Sequence, residues 1–234
     1  MIEIKKTCGG EFLLGEDNVS RIMRSRGSDD YFDFHVIHTF FHFLNKDSVA
    51  IDAGANIGTQ TVTLSKLCKK VYAFEPQRFI YHHLCGNLFL NGCMNVEAHN
   101  LALYDRETRM SLTLGTPDYI QPNDSASIGF SADSSNEESV KAITIDSLNL
   151  KQLNFIKIDT QGCDLLVLRG ARETINRLKP VIVFEIEEYN GPLYGNLTGE
   201  HKHKKEDYFE FLESINYRHQ KLTFYDGDYL AQPN

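Results

Sequence analysis

The chain has 234 residues and a net charge of −8, so it is long enough to bury a sizeable core as one α/β domain. The acidic balance argues against a nucleic-acid partner, because affinity for phosphates comes largely from clustered lysine and arginine. The five cysteines are odd in number and show no C-x-x-C spacing, which favours neither a disulfide framework nor a zinc site and indicates a reducing compartment such as the cytoplasm.

The first 45 residues are predicted to form an extension that packs on a main domain of residues 46–234. Residues 1–20 are predicted to form short extended pieces on either side of Gly9-Gly10, which favours a hairpin, and a polar arginine-bearing segment follows. A helix is predicted over 31–44, starting at Ser28-Asp29-Asp30. Its aromatic side chains could stack on a sugar ring, although helical spacing is more typical of core residues. The charged start is not expected to act as a signal peptide, and no apolar run approaches the roughly 18 residues of a membrane span, so no membrane insertion is expected.

Residues 49–58 are the stretch around which the main domain is organised. An apolar run of strand length ends in a small-residue turn, and a helical pattern follows from Thr59 to Leu67. Glycines at 54 and 58 allow close approach of a ligand to the backbone, and the helix N-terminus supplies unpaired N–H groups. A second apolar run, 71–74, is closed by Glu75-Pro76, which places an acid where it can accept both hydroxyls of an adenosine ribose.

Asp52 lies immediately before this turn and distinguishes between two candidate cofactors, a nicotinamide dinucleotide and S-adenosylmethionine. A carboxylate there would repel the pyrophosphate of a nicotinamide cofactor but suits the zwitterionic methionine end of S-adenosylmethionine. A nicotinamide-dependent oxidoreductase is further disfavoured by the missing third glycine and the lack of a Tyr-x-x-x-Lys pair. A non-catalytic adenosyl-binding module is a third hypothesis, and intact acids at 52, 75, 159 and 185 weigh against it.

The pattern of strand, turn and helix continues along the chain and predicts a parallel sheet covered by helices. Residues 115–138 are polar and are predicted to be a lid loop over the ligand. The remaining predicted elements are helices over 77–91, 164–178 and 206–214 and strands over 95–98, 109–114, 140–145, 155–158, 181–184, 217–225 and 228–230.

Three blocks of the sequence, Asp52 to Gly58, Ala73 to Pro76 and Ile156 to Gly162, resemble the signature blocks of the FkbM-type methyltransferases. The resemblance runs from about 48 to 188. It implies a Rossmann-like class I methyltransferase with a seven-stranded, mostly parallel sheet, helices on both faces and S-adenosylmethionine as cofactor. One departure is Asp164, which stands where the family commonly has a glutamate.

The predicted cofactor-binding residues come from the turn, from the acid that follows the second strand and from two segments that the resemblance adds. Leu101 and Ala102 correspond to the family's stretch beside the adenine ring, and residues 123–125 to a polar cluster of small residues. The full set is Asp52, Gly54, Asn56, Gly58, Thr59, Glu75, Pro76, Leu101, Ala102, Asn123, Asp124 and Ser125.

Asp159 and Glu185 end two neighbouring strands and are predicted to flank the methyl-transfer position. A hydroxyl acceptor must lose its proton as it attacks, which calls for a general base or a metal. Acids at strand ends also cap following helices, so a structural role is the competing interpretation. Lys157 is included in the catalytic set as a buried cation that braces a carboxylate, and the two acids could hold Mg²⁺.

The function that these residues favour is an S-adenosylmethionine-dependent O-methyltransferase acting on a small or glycan acceptor. The family resemblance makes sugars and polyketide-like hydroxyls the leading acceptors, with an amine as the alternative.

Overall fold

The structure is a computed structural model that describes residues 3–15, 17–113, 137–186, 203–222 and 227–234. The predicted lid therefore lies almost entirely outside the described residues, as do Asn123, Asp124 and Ser125. The helices are α1 (Asn18–Ser25), α2 (Phe34–Phe43), α3 (Thr59–Leu67), α4 (Arg78–Leu90), α5 (Asp164–Arg169), α6 (Arg172–Leu178) and α7 (Lys205–Ser214). The strands are β1 (Glu3–Lys6), β2 (Glu11–Leu14), β3 (Val49–Ala53), β4 (Lys70–Phe74), β5 (Val96–His99), β6 (Ala102–Leu103), β7 (Thr108–Thr113), β8 (Glu137–Ile143), β9 (Phe155–Ile158), β10 (Val181–Glu185), β11 (Tyr217–Lys221) and β12 (Asp228–Pro233).

Seven strands form the main sheet in the order β11-β12-β10-β9-β3-β4-β5. All pairings from β10 to β5 are parallel, and β12 is antiparallel to both of its neighbours. The chain leaves β3 toward one edge of the sheet and later returns through β9 toward the other. The carboxyl ends of β3 and β9 therefore form the switch point at which open α/β sheets bind ligands.

Alternate residues of the central strands pack against helices on opposite faces of the sheet, as the period of a strand requires. Ile51, Ile156 and Phe184 belong to the core cluster that contains side chains of α5, α6 and α7. Ala50 and Phe155 belong to the cluster that contains side chains of α2 and α3. Because both faces are covered, β3 and β9 are buried along their whole length. The predicted seven-stranded, mostly parallel sheet is confirmed.

The N-terminal hairpin is attached to α4 by two asparagine side chains. Asn87 Oδ1 accepts the Leu13 N–H at 2.7 Å, and Asn91 Oδ1 accepts the Glu11 N–H at 2.9 Å. Asn87 is fully buried, and its amide also donates to the Ile57 carbonyl at 2.8 Å. One side chain thus links the hairpin, α4 and the turn after β3. The division at residue 45 stays a prediction.

Two helix predictions need correction, and one helix was not predicted. The arginine-bearing segment forms α1, which begins after Asp17, whose Oδ1 accepts the Ser20 N–H at 2.8 Å. The aromatic helix begins at Phe34 rather than at residues 28–31, because Asp33 has a left-handed φ of 51° and its carbonyl accepts the first helical N–H groups.

The predicted helix over 164–178 is divided into α5 and α6 at Gly170. A Cβ at Gly170 would lie 1.9 Å from the Tyr104 carbonyl oxygen, so the break lies where the chain packs directly against the segment after β6. Among the described residues, no helix combines the length and apolar character that crossing a membrane requires.

Candidate active site

The turn after β3 is held tightly against the neighbouring strands. The N–H groups of Gly54 and Ala55 both donate to the Phe74 carbonyl at 3.0 Å. Gly54 has a φ of 77°, and a Cβ on it would lie 1.8 Å from the Asp159 carbonyl oxygen. Only glycine fits this position, because any side chain would drive the turn away from the end of β9.

Glu75 is buried beside this turn, at the end of β4. Its Oε2 accepts the Asn56 N–H at 3.0 Å and its Oε1 accepts the Gln77 N–H at 2.9 Å. Burial raises the pKa of this carboxyl to about 7, although the two N–H groups oppose the shift. Each carboxylate oxygen can accept a second hydrogen bond, and Glu75 is one of the residues that line the cavity described below.

Lys157 is a buried cation in the centre of the sheet. Its Nζ lies 3.1 Å from Asp52 Oδ1 and 3.6 Å from Asp159 Oδ2, and it donates to the Gly54 carbonyl at 2.9 Å. Burial alone lowers the pKa of Lys157, but Asp52 and Asp159 together raise it above its usual value. The side chain therefore stays protonated at neutral pH and cannot act as a general base.

Asp52 lies behind the ligand cavity rather than in its lining. The residue is fully buried, and its Oδ2 accepts the Thr61 hydroxyl at 2.6 Å while Oδ1 pairs with Lys157. The structure thus gives Asp52 the role of counter-ion to Lys157. The expectation that it meets the amino-acid end of the cofactor is not supported by this placement.

The acids at the ends of β9 and β10 differ in their surroundings. Asp159 is partly exposed, and its Oδ1 accepts the Gln161 side-chain amide at 3.1 Å. Asp164 is buried and accepts the Thr160 hydroxyl at 3.0 Å and the Glu185 N–H at 3.4 Å. Burial, with Asp159 second, raises the pKa of Asp164 to about 7. The shorter acid at 164 therefore connects the loops after β9 and β10.

A cavity of about 210 Å³ opens at the carboxyl ends of β3, β4 and β9. Part of the lining consists of predicted cofactor residues, and another part comes from α1 and the segment that precedes α2. The residues that line it are Val19, Ile22, Phe32, Gly54, Ala55, Asn56, Thr59, Gln60, Phe74, Glu75, Pro76, Gln77, Leu101, Ala102, Leu103, Tyr104, Met110, Lys157, Asp159, Thr160, Gln161 and Cys163.

Most of the described residues in the predicted set meet in this cavity. Asp52, Gly58 and Glu185 do not line it. Gly58 instead precedes α3 with a φ of 92°, and the Glu185 side chain lies against Gly227. No group of three or more histidine, cysteine, aspartate or glutamate side chains within the described ranges has a metal-binding arrangement. The suggested Mg²⁺ site at Asp159 and Glu185 stays a prediction.

The family model described as the methyltransferase FkbM domain matches residues 52–218. The chain belongs to this family. It is 28% identical over 147 residues to a protein from Methanocaldococcus jannaschii named as a probable cobalt-precorrin-6B C(15)-methyltransferase (decarboxylating), covering 63% of this chain and 64% of that protein.

Two solved structures share the fold of this FkbM-family chain. Methyltransferase FkbM from Methylobacillus flagellatus KT has 16% identity and a TM-score of 0.52, with 90% of this chain and 57% of that chain covered. SMU.1697c from Streptococcus mutans, in complex with SAH, has 16% identity and a TM-score of 0.53, with 87% and 99% covered. The fold is that of class I methyltransferases, and the predicted family and enzyme class are confirmed. The chain spans less than two thirds of the cobalt-precorrin relative and of the Methylobacillus structure.

Two parts of the cavity lining were not predicted from the sequence. They are the side chains of α1 and four polar residues that follow predicted positions. Val19 and Ile22 are three residues apart and lie on one face of an eight-residue helix, a spacing that was present in the sequence. Gln60, Gln77 and Thr160 each adjoin a predicted site residue, and Gln161 is two residues after Asp159, so their positions followed from the turns themselves.

Proposed function

We propose that this FkbM-family protein transfers a methyl group from S-adenosylmethionine to a hydroxyl of a small or glycan acceptor, with a sugar as the leading acceptor. The observation that carries the proposal is the pairing of two acids in one cavity. Glu75 lies at one part of the lining with both oxygens directed by backbone N–H groups, and Asp159 lies at another part, beside a charged lysine.

In this proposal the cofactor lies across the carboxyl ends of the strands at the switch point of the sheet. Glu75 accepts the ribose hydroxyls, and Pro76, Leu101 and Ala102 contact the adenine ring. The methionine end lies along Gly54, Asn56 and Thr59, where the N-terminus of α3 favours its carboxylate. Asp52 supports this end indirectly, because its charge holds Lys157 against the Gly54 carbonyl.

Methyl transfer needs little chemistry from the protein beyond alignment, because the methyl group of a sulfonium is already activated. The hydroxyl oxygen attacks the methyl carbon, the C–S bond breaks with its electrons on sulfur, and the hydroxyl proton must leave. Asp159 is the proposed acceptor of that proton. Lys157 Nζ lies 3.6 Å from Asp159 Oδ2 and places a positive charge beside this carboxylate. Asp164 accepts hydrogen bonds from Thr160 and so positions the loop that follows Asp159.

Exposed aromatic rings beside the cavity support a sugar acceptor. Phe32 lines the cavity, and two residues later Phe34 is 56% exposed. Phe41 is 52% exposed, and Tyr31 contacts both rings, with centroid separations of 6.4 Å to Phe34 and 6.0 Å to Phe41. Exposed aromatic clusters mark binding surfaces, and ring faces stack on the apolar faces of sugars.

The experiment that tests the cofactor is calorimetric titration with S-adenosylhomocysteine beside NAD. We expect binding of the first compound only; binding of NAD alone would contradict the proposal. A methyl-release screen with purified glycans, polyketide-like hydroxyl compounds and amines then tests the acceptor. Activity on amines alone would replace the hydroxyl proposal by its alternative, and chelator treatment with Mg²⁺ add-back tests the metal route.

Asp159→Asn tests the catalytic assignment with the acceptor that the screen identifies. The change keeps the size of the side chain and removes its charge, so turnover should fall by about a hundredfold while S-adenosylhomocysteine affinity stays within a few-fold. Loss of cofactor binding instead would place Asp159 in the scaffold.

All five cysteines are free thiols, which supports the proposal of a reducing compartment such as the cytoplasm.

A further inference from the structure

Gln161 lies in the turn that follows β9, in a backbone conformation that is uncommon for glutamine. Its φ is 52°, and Gly162 after it has a φ of 91°. The Cys163 N–H closes this turn by donating to the Thr160 carbonyl at 3.4 Å. Turns with two successive left-handed residues are dominated by glycine, asparagine and aspartate. A residue of another type persists there where the surrounding structure holds it, and such residues cluster at functional sites.

The side-chain amide of Gln161 contacts the carboxylate that takes the acceptor proton in the proposed function. Its Nε2 donates to Asp159 Oδ1 at 3.1 Å, while the other oxygen, Oδ2, lies 3.6 Å from Lys157 Nζ. All three residues line the cavity. The Asp159 carboxylate is therefore held at the cavity between an amide on one oxygen and a cation on the other.

These two contacts of Asp159 compete with each other. A charge-assisted hydrogen bond from an ammonium to a carboxylate is about 2.7–2.9 Å long, so the separation of 3.6 Å leaves room for a closer approach to Lys157. Lys157 itself is held by Asp52 Oδ1 at 3.1 Å and the Gly54 carbonyl at 2.9 Å, whereas the Asp159 side chain is 36% exposed and less restrained by packing. Without the Gln161 amide, we expect the carboxylate to rotate toward Lys157.

We propose that Gln161 is a positioning residue for methyl transfer, which fixes the Asp159 carboxylate in the orientation that receives the acceptor proton. The inference rests on the proposed function, in which the acceptor oxygen bonds to the methyl carbon, the C–S bond breaks toward sulfur and the hydroxyl proton passes to Asp159. A proton acceptor must lie within hydrogen-bond reach of the group that it deprotonates, and small displacements reduce turnover strongly. Glycine would remove the cost of the left-handed backbone at position 161, but it has no amide for Asp159.

Sinefungin and S-adenosylhomocysteine together report the orientation of Asp159 without knowledge of the acceptor. In sinefungin an amine-bearing carbon replaces the methylsulfonium of S-adenosylmethionine, so its ammonium occupies the region of the transferred methyl group. A carboxylate oriented toward that region should make wild-type protein prefer sinefungin by about tenfold or more, since a charge-assisted hydrogen bond is worth at least that ratio. Asp159→Asn should abolish this preference.

The test is calorimetry of both compounds, together with thermal unfolding, on wild type and variants of Gln161. Gln161→Gly removes both the amide and the backbone cost, so the preference for sinefungin should fall by about threefold to tenfold while the thermal midpoint does not fall. Gln161→Met keeps the length of the side chain without the amide and should lower the preference to the same extent. Affinity for S-adenosylhomocysteine should stay within about twofold in both variants.

Lys179→Gly is the matched control. Lys179 is another long side chain on a left-handed backbone, with a φ of 51°, and it is exposed and not part of the cavity lining. This variant should keep the wild-type preference for sinefungin. With an acceptor from the methyl-release screen, both Gln161 variants should lower kcat and leave KM for S-adenosylmethionine within about twofold.

The outcomes separate the role of Gln161 from the proposed function. If wild type binds neither compound, the proposed function fails and the role of Gln161 fails with it. If wild type shows no preference for sinefungin, or if Asp159→Asn keeps it, Asp159 does not face the transferred methyl group, and its catalytic assignment and the role of Gln161 are both overturned. If Asp159→Asn loses the preference and both Gln161 variants keep it, the role of Gln161 alone is overturned. A lower thermal midpoint in Gln161→Gly, with equal losses of affinity for the two compounds, would likewise overturn it and make Gln161 a structural residue of the turn.

Discussion

Lys157 and Asp52 form an ion pair whose side chains are 6% and 0% exposed. Such a pair need not stabilise a fold relative to apolar residues, but removing one partner leaves an uncompensated buried charge. Lys157→Met should therefore lower the free energy of unfolding by about 3–5 kcal/mol in urea denaturation. Adding Asp52→Asn should recover a large part of this loss, because the remaining charge is then gone.

The control for this prediction is Lys70→Met, which breaks the exposed contact between Lys70 and Glu97 at 2.8 Å. Exposed pairs contribute about 1 kcal/mol or less. If Lys157→Met and Lys70→Met lower the free energy of unfolding equally, the buried pair of Lys157 and Asp52 contributes no more to stability than an exposed pair.

The proposed role of Glu75 in binding ribose predicts a pH dependence of defined sign for cofactor affinity. The apo carboxyl has a pKa of about 7, and its ionised form is the better acceptor for ribose hydroxyls. S-adenosylhomocysteine affinity should therefore rise as the pH is raised from 6 to 8. Glu75→Gln should bind at least about tenfold more weakly at pH 8 and lose most of this slope, as measured by calorimetry.

The comparison with Glu75→Gln matters because Asp33 and Asp164 have pKa values of about 6 and about 7 and titrate in the same range. Their contribution is common to wild type and variant, so the difference between the two pH profiles belongs to Glu75. Parallel profiles would remove Glu75 from the ribose site.

Among the elements, the strands could be predicted more fully than the helices. β3, β4, β9 and β10 are continuous apolar runs closed by an acid or a small-residue turn, and this pattern depends only on neighbouring residues. The start of α2 depends on the left-handed Asp33, and the break at Gly170 depends on contact with Tyr104. Contacts between residues distant in sequence leave no periodic signal, so these boundaries could not be predicted.

Residues of the candidate site could likewise be predicted where their placement depends on neighbouring residues, but not where it depends on residues distant in sequence. The places of Glu75 and Gly54 in the cavity lining were predictable because both residues lie at strand ends. The burial of Asp52 depends on Lys157, which another strand brings beside it in the register of β3 and β9. The sequence places an acid at that turn but does not reveal whether its carboxylate points into the cavity or toward a lysine.

Asn87 supports both the N-terminal hairpin and the turn after β3. Asn87→Ala removes bonds to the Leu13 N–H and the Ile57 carbonyl in a fully buried position. The free energy of unfolding should fall by about 2–4 kcal/mol, because each buried group left without a partner costs about 1–3 kcal/mol. S-adenosylhomocysteine affinity should fall as well, since the turn loses its support from α4.

Asn91→Ala is the matched control for this prediction. The Asn91 side chain forms hydrogen bonds with Glu11 of the same hairpin and with the Asn87 carbonyl, and none with the described residues of the turn after β3. It should reduce stability and leave S-adenosylhomocysteine affinity within about twofold. If both variants reduce affinity equally, the effect is transmitted by the hairpin and not by the Ile57 contact.

At the scale of the whole molecule, the N-terminal segment closes one side of the cavity that the main sheet opens. Val19 and Ile22 of α1 and Phe32 reach the lining, and Lys5 holds the end of α1 by donating to the carbonyls of Met23 at 2.5 Å and Arg24 at 3.3 Å. A cavity at a switch point is otherwise open to solvent above the strand ends. The extension therefore supplies apolar surface that the sheet cannot provide.

Ile22→Ser tests whether this wall contributes to cofactor binding. Ile22 is only half-buried in the apo protein, so the thermal midpoint should change little. Loss of its apolar contact with a bound nucleoside should weaken S-adenosylhomocysteine by about fivefold to tenfold, which corresponds to about 1–1.4 kcal/mol for a side chain that is partly removed from water. Ser25→Ala, at an exposed position of the same helix, should bind like wild type. Equal affinities in Ile22→Ser and Ser25→Ala would mean that α1 stabilises the fold without contacting the ligand, and the wall of the binding site would then have to be sought on the side of β6 and β7.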